Sequence, residues 1–273
     1  EVISQLTDLW KGLEADPSVH TAILRGSGKA FVAGADIKFF VDKIEDNKID
    51  DIREFTERGH DILNAIESSR INTIAVMSGL ALGGGLELAM CCNHRIGVEG
   101  KTMLRFPETG IGIYPGLGGT QRTARICGLE CSRYAILAGN FLDSVTAYDL
   151  GLLTHNVDSS EVDSVVSSLI GTKPENKYAF HPVNDVSKVV DFSKKFYSDA
   201  NIGALLAGEI PSGFDSDDPM VSRQIKSLSR GAPIALRIAS ELLSYATNGS
   251  SLEDGLKLEL ERLEEIFGTS DAE

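Results

Sequence analysis

INTIAVMSGLALGGGLELAMCCNHRIGV, residues 71 to 98, holds a complete folding unit. INTIAVMSG reads as a buried strand, a helix entered through Gly83, Gly84 and Gly85 follows over residues 85 to 92, and HRIGV reads as the next strand. Strand, helix and strand in that order imply a right-handed crossover and a mainly parallel sheet layered with helices. The helix also carries Glu87, with no basic residue before His94. A buried carboxylate without a partner costs several kcal/mol, so its presence asks for a use.

The same alternation extends on both sides. EVISQLTDLWKGLEAD opens the chain with Val2, Ile3, Leu6, Leu9, Trp10 and Leu13 on one helical face. HTAILRG is a short β-rich run, and a loop with Gly28 and Gly34 follows it. Residues 47 to 70 return to helical spacing through Ile49, Ile52, Phe55, Ile62, Leu63 and Ile66. Past Leu129 strands thin out. Residues 1–171 are therefore expected to form the core, 172–218 a surface insertion with a short helix near 186 to 198, and 219–273 a helical region of two amphipathic helices, 219 to 247 and 251 to 267. The charges of the last helix read as a solvated face.

With 40 acidic against 26 basic residues the net charge is -14, which disfavours nucleic acid and anionic lipid as partners. Any anionic ligand needs a local site. No run reaches the roughly 18 apolar residues of a membrane span, and the amino end lacks a signal pattern, so the expectation is a cytoplasmic protein. Cys91, Cys92, Cys127 and Cys131 are too few and too clustered for a disulfide framework. As zinc ligands, alone or with His94, they fail because neighbouring helical thiols point apart and no second ligand pair follows; no metal is expected.

Three segments combine glycine with a carboxylate: FVAGADI at 31 to 37, LALGGGLEL at 80 to 88, and FPETGIGIYPGLGGTQR at 106 to 122. Glycine lets backbone approach a ligand, and a glycine turn at a helix start leaves amide N–H groups free with the positive end of the helix dipole behind them. Such amides suit a developing oxyanion. Taken singly, each segment could equally be a turn, a close helix contact or a loop. A phosphate cradle is disfavoured because no GK[ST] ending is present, and none of His20, His60, His94, His155 and His181 accompanies a G-x-S-x-G elbow.

In order and spacing, AFVAGADI, GLALGGGLELAM, PETGIGIYPGLGGTQR and then LAGNFLDSVTAYDLGLLTHNV resemble the crotonase (enoyl-CoA hydratase/isomerase) superfamily. The resemblance runs through residues 1 to about 158 and resumes in the last two helices. It implies an α/β protein with the crotonase (ClpP-like) fold, built of repeated β-β-α units, with a C-terminal helical trimerisation region. The implied substrate is an acyl thioester of coenzyme A, and no cofactor is implied beyond that substrate. Its carbonyl oxygen would be held by the backbone N–H groups of Ala35 and Gly84. Hydratases of the family resemble this chain in having two glutamates, here Glu87 to activate water and Glu108 to protonate the α carbon of a 2-enoyl-CoA, a step of fatty-acid β-oxidation.

The resemblance also implies a substrate-facing set of Ala33, Asp36, Ile37, Lys38, Tyr114, Pro115 and Gly116. Ala33, Ile37 and Lys38 match positions near the adenine end and its phosphates. Phe39, Phe40, Ile113, Tyr114 and Pro115 are expected along the acyl chain. Isomerases of the superfamily usually keep one glutamate. The hydroxyisobutyryl-CoA hydrolase branch has glycine in place of Glu87 and aspartate in place of Gly116. Those activities, and a binding module that has lost chemistry, are the alternatives. The implied partners are copies of the chain, as a homotrimer or dimer of trimers, and a fused or associated 3-hydroxyacyl-CoA dehydrogenase. Family strands that precede the first helix, and a family tail beyond TSDAE, are not in this sequence; both ends read as cut from a longer chain.

Overall fold

The computed structural model describes residues 1–176, 178 and 184–268. Its strands are β1 (Thr21–Arg25), β2 (Ala30–Val32), β3 (Asn72–Met77), β4 (Leu80–Leu82), β5 (His94–Val98), β6 (Met103–Arg105), β7 (Leu142–Asp143) and β8 (His155–Val157). They form two four-stranded sheets, ordered β1-β3-β5-β8 and β2-β4-β6-β7, parallel throughout except for the antiparallel β6–β7 pair. Consecutive strands β1 and β2, β3 and β4, and β5 and β6 each send the first member to one sheet and the second to the other. This is the repeated β-β-α architecture.

Strand β3 is buried at all six positions, which explains why its apolar residues run unbroken from Ile74 to Met77 instead of alternating. Ile74 pairs with His94 and Met77 with Gly97 across β3–β5, while Leu80 pairs with Met103 across β4–β6. Between β4 and β5 lies helix Gly84–Met90. Gly85 lets that helix approach β2, because a Cβ there would stand 2.6 Å from the Cβ of Val32. On the other side, helix Ile49–Ser68 turns Ile52, Thr56, Gly59, His60, Leu63 and Ile66 inward at helical spacing.

Two expectations need correction. Each closing helix is broken, into Pro219–Leu228 and Pro233–Thr247, and into Leu252–Glu261 and Leu263–Phe267. The first break has a local cause: Ala232 is extended at φ -71 and ψ 125, as the residue before a proline prefers. The stretch from 172 to 218 is also more than a surface insertion. Its helix Lys188–Phe196 and the adjoining Tyr197 carry fully buried Val190, Phe196 and Tyr197 into the main core. Phe196 lies 4.9 Å edge-on from Phe214 and 4.8 Å from Phe192 in a stacked pair. Residues 177, 179–183 and 269–273, including His181 and most of the HPVND motif, lie outside the described residues.

Candidate active site

The three glycine and carboxylate segments meet at one cleft of about 110 Å³. Ala33, Ala35 and Ile37 arrive from the loop and helix after β2, Gly84 and Glu87 from the helix after β4, and Glu108 from the 3-10 turn Glu108–Ile111 after β6. Ile113, Tyr114 and Gly116 complete the side nearest that turn, and Phe40, Phe55 and Phe267 wall the apolar end. Phe40 and Phe267 stack at 5.8 Å between ring centroids.

Glu87 is 2% exposed and Glu108 8% exposed. Glu87 Oε1 accepts hydrogen bonds from the backbone N–H groups of Leu117 and Gly119, both at 2.7 Å. A Cβ built on Gly84 would stand 3.8 Å from Glu87 Oε2, and one built on the preceding Gly83 would overlap Glu108 Oε1. The two carboxyl groups therefore lie against consecutive glycines of one turn. Glu108 Oε2 is buried with no hydrogen-bond partner among the described residues. Neither Ala35 N–H nor Gly84 N–H donates to a protein acceptor among the described residues. Gly84 is the first residue of its helix, where N–H groups have no intrahelical acceptor.

Burial raises both carboxyl pKa values. Glu108 is pushed up to about 8 by desolvation, against which its own backbone N–H and Arg105 pull weakly. Glu87 is pushed well above the ordinary carboxylate range by desolvation first, then by the charges of Glu108 and Glu259, while the Gly119 and Leu117 donors act the other way. Two such buried groups sharing one cleft cannot both ionise readily.

This arrangement of two buried carboxyls beside two unpaired amide donors accords with the sequence comparison. The enoyl-CoA hydratase/isomerase family matches across residues 1–273. The chain belongs to that family. It is 41% identical over 140 residues to an enoyl-CoA isomerase/hydratase of Mycosarcoma maydis, a match covering 51% of this chain and 50% of that protein. It is 35% identical over 177 residues to a fatty acid oxidation complex subunit alpha of Shewanella loihica, covering 63% of this chain and 25% of that one. The chain thus spans half or less of these relatives' lengths. An enoyl-CoA hydratase crystal structure from Rhodobacter sphaeroides superposes with TM-score 0.81 at 20% identity, covering 99% of this chain and 78% of that one, which establishes the crotonase fold.

Several residues that family resemblance points to stand away from the cleft wall. Asp36 caps helix Ile37–Glu45, accepting from Lys38 N–H at 3.0 Å. Lys38 is exposed and pairs with Asp42 at 2.7 Å. Phe39 packs behind the wall, 5.2 Å from Phe55, and Pro115 packs where a Gly119 side chain would point, 2.6 Å from such a Cβ. Sequence reading passed over Phe55, Leu117, Gly119, Leu263, Ile266 and Phe267, and above all Glu259. A signal for Glu259 existed: Leu252, Leu256, Glu259, Leu263 and Ile266 recur at helical spacing, placing a carboxylate within an apolar stripe. Among the described residues no helix is long and apolar enough to cross a membrane, and no group of three or more His, Cys, Asp or Glu could hold a metal ion.

Proposed function

We propose that the chain is an enoyl-CoA hydratase, adding water reversibly across the 2,3 double bond of a 2-enoyl-CoA to give the 3-hydroxyacyl-CoA. The observation that carries this reading is the convergence of Glu87 and Glu108 against Gly83 and Gly84 in a single cleft. Burial raises both carboxyls, Glu87 included, but Glu87 alone is supplied with two backbone donors that favour its charged form, and in this reading it works as the carboxylate while Glu108 supplies the proton. Glu87 takes a proton from water as the water oxygen bonds to the β carbon. The electron pair of the double bond moves to the thioester oxygen, where the Ala35 and Gly84 N–H groups hold it, each donor contributing about 3 kcal/mol of barrier lowering. Glu108 then delivers its proton to the α carbon. One proton enters and one leaves the pair, so the cycle closes when the two carboxyls re-equilibrate.

The experiment is loss of the conjugated absorbance of a 2-enoyl-CoA on mixing with the protein. Glu87→Gln and Glu108→Gln should each fold and lose at least about a hundredfold in kcat. An unchanged absorbance with the parent chain, or near-full rate in either variant, rejects the reading. A second reading, double-bond isomerisation, is favoured by the name of the Mycosarcoma maydis relative. It needs one carboxyl, so Glu87→Gln would then retain conversion of a 3-enoyl-CoA.

The same proposal carries the remaining expectations. The enzyme needs no cofactor besides its thioester substrate and works in the cytoplasm. Lys38 leaves Asp42 to meet a phosphate of coenzyme A. Copies assemble through the C-terminal helices into a trimer or a pair of trimers, measurable by light scattering. The match to a quarter of a fatty acid oxidation complex subunit supports placing the chain beside a 3-hydroxyacyl-CoA dehydrogenase, fused or associated.

A further inference from the structure

Helix Leu252–Glu261 contributes no residue to the cleft wall, yet it buries Glu259 completely. Glu259 Oε2 accepts from Gly118 N–H at 2.8 Å and lies 3.3 Å from His60 Nε2, while Oε1 accepts from the Thr120 hydroxyl at 2.5 Å. Its backbone carbonyl takes the Tyr114 hydroxyl at 2.5 Å. His60 Nε2 also meets Gly116 O at 2.8 Å; both of its neighbours are acceptors, so this nitrogen carries a proton. Along four consecutive residues the donors alternate. Leu117 and Gly119 point to Glu87, and Gly118 and Thr120 point to Glu259. The 117–120 segment is a strap strung between two buried carboxylates.

We propose that Glu259 is a positioning residue for Glu87: by gripping Gly118 and Thr120 it fixes the strap whose other two N–H groups orient and charge Glu87. This rests on the hydratase reading for its catalytic consequence but not for its geometry. A carboxylate so deep needs its donors, and three groups from two parts of the chain, His60 Nε2, Gly118 N–H and the Thr120 hydroxyl, converge on it, while Leu256 of the same helix packs close to Gly118. Charged or titratable groups around Glu259 are His60, Glu87, Tyr114 and Arg125, with Arg122 bonded to the strap at Leu117 O. The negative charge of Glu259 is one of the causes that raise Glu87.

The test follows the Leu117 and Gly119 amide resonances through a pH titration, since both N–H groups report the charge on Glu87. Glu259→Gln keeps an oxygen for Gly118 N–H and an amide that can donate to Thr120, and removes only the charge. The Glu87 midpoint should fall by about half a unit or more, because a neighbouring negative charge is gone while the strap stays gripped. Glu259→Ala should speed hydrogen exchange at Leu117 and Gly119 by at least about tenfold and lower kcat by about tenfold with KM changed less than about threefold. An unmoved midpoint in Glu259→Gln overturns the proposal, as does unchanged exchange in a folded Glu259→Ala. If the parent chain fails to hydrate any 2-enoyl-CoA, the hydratase reading falls, and the resonances still decide the role of Glu259.

Discussion

The carboxyl of Glu108 occupies the space that a side chain on Gly83 would need. Gly83 also sits at φ 48 and ψ -122, a conformation that side chains oppose. Two independent reasons therefore forbid substitution at the residue preceding the Gly84 donor. Gly83→Ala should cost about 1–3 kcal/mol of stability and, because Glu108 must move, should lower kcat by more than the fraction unfolded explains. Thermal melting beside turnover at a temperature where the variant is folded separates the two. Parental turnover in folded Gly83→Ala would show that Glu108 need not lie where it does.

Glu108 also makes a pH-dependent contribution to stability with a definite sign. Its pKa rises from 4.5 to about 8 on folding. Below pH 4.5 both folded and unfolded chains hold the proton and nothing is lost. Between 4.5 and about 8 the unfolded chain releases it first, so stability falls as pH rises, and the loss is complete above the folded value. Glu108→Gln removes that slope and should be more stable than the parent at alkaline pH by up to about 5 kcal/mol, the full width of that window, read from urea unfolding on both sides of the window. The rate should show the same group: an alkaline limb near pH 8, where the acid form of Glu108 is lost.

The legible part of this protein was the part written in local chemistry. Buried β3, the glycine-entered helix and the alternation of strand with helix follow from residues that are near neighbours in sequence. The convergence of 33–37, 83–87 and 108–116 does not, and only a resemblance of the joint pattern to a family pointed to it. Glu259 escaped because a helix rich in glutamate looks solvated until its apolar stripe is counted. Phe192, Phe196 and Phe214 escaped because polar, glycine-containing and acidic surroundings disguise an aromatic cluster whose members meet only in the fold. That cluster makes a sharp prediction. Phe196→Ala should destabilise by about 3–5 kcal/mol, whereas a residue of a surface insertion would cost under about 0.5 kcal/mol. Denaturant midpoints at constant slope distinguish the two.

The strap has a second anchor in Arg122. Arg122, fully buried in helix Gly119–Cys127, pairs through Nε with Glu67 at 2.7 Å, through Nη2 with Asn64 Oδ1 at 2.7 Å, and through Nη1 with Leu117 O at 3.1 Å. Glu67 accepts the Tyr178 hydroxyl as well. Arg122→Leu strips a largely buried carboxylate of its cation and should cost about 3–5 kcal/mol. Pairing it with Glu67→Met removes the stranded charge and should recover most of that loss, since a well-packed apolar pair avoids the desolvation of both ions. The double-mutant cycle in urea measures the coupling. Because Leu117 O is released in both variants, kcat should stay depressed even where stability returns. A double variant that regains stability and full rate together would show that the strap does not depend on this contact.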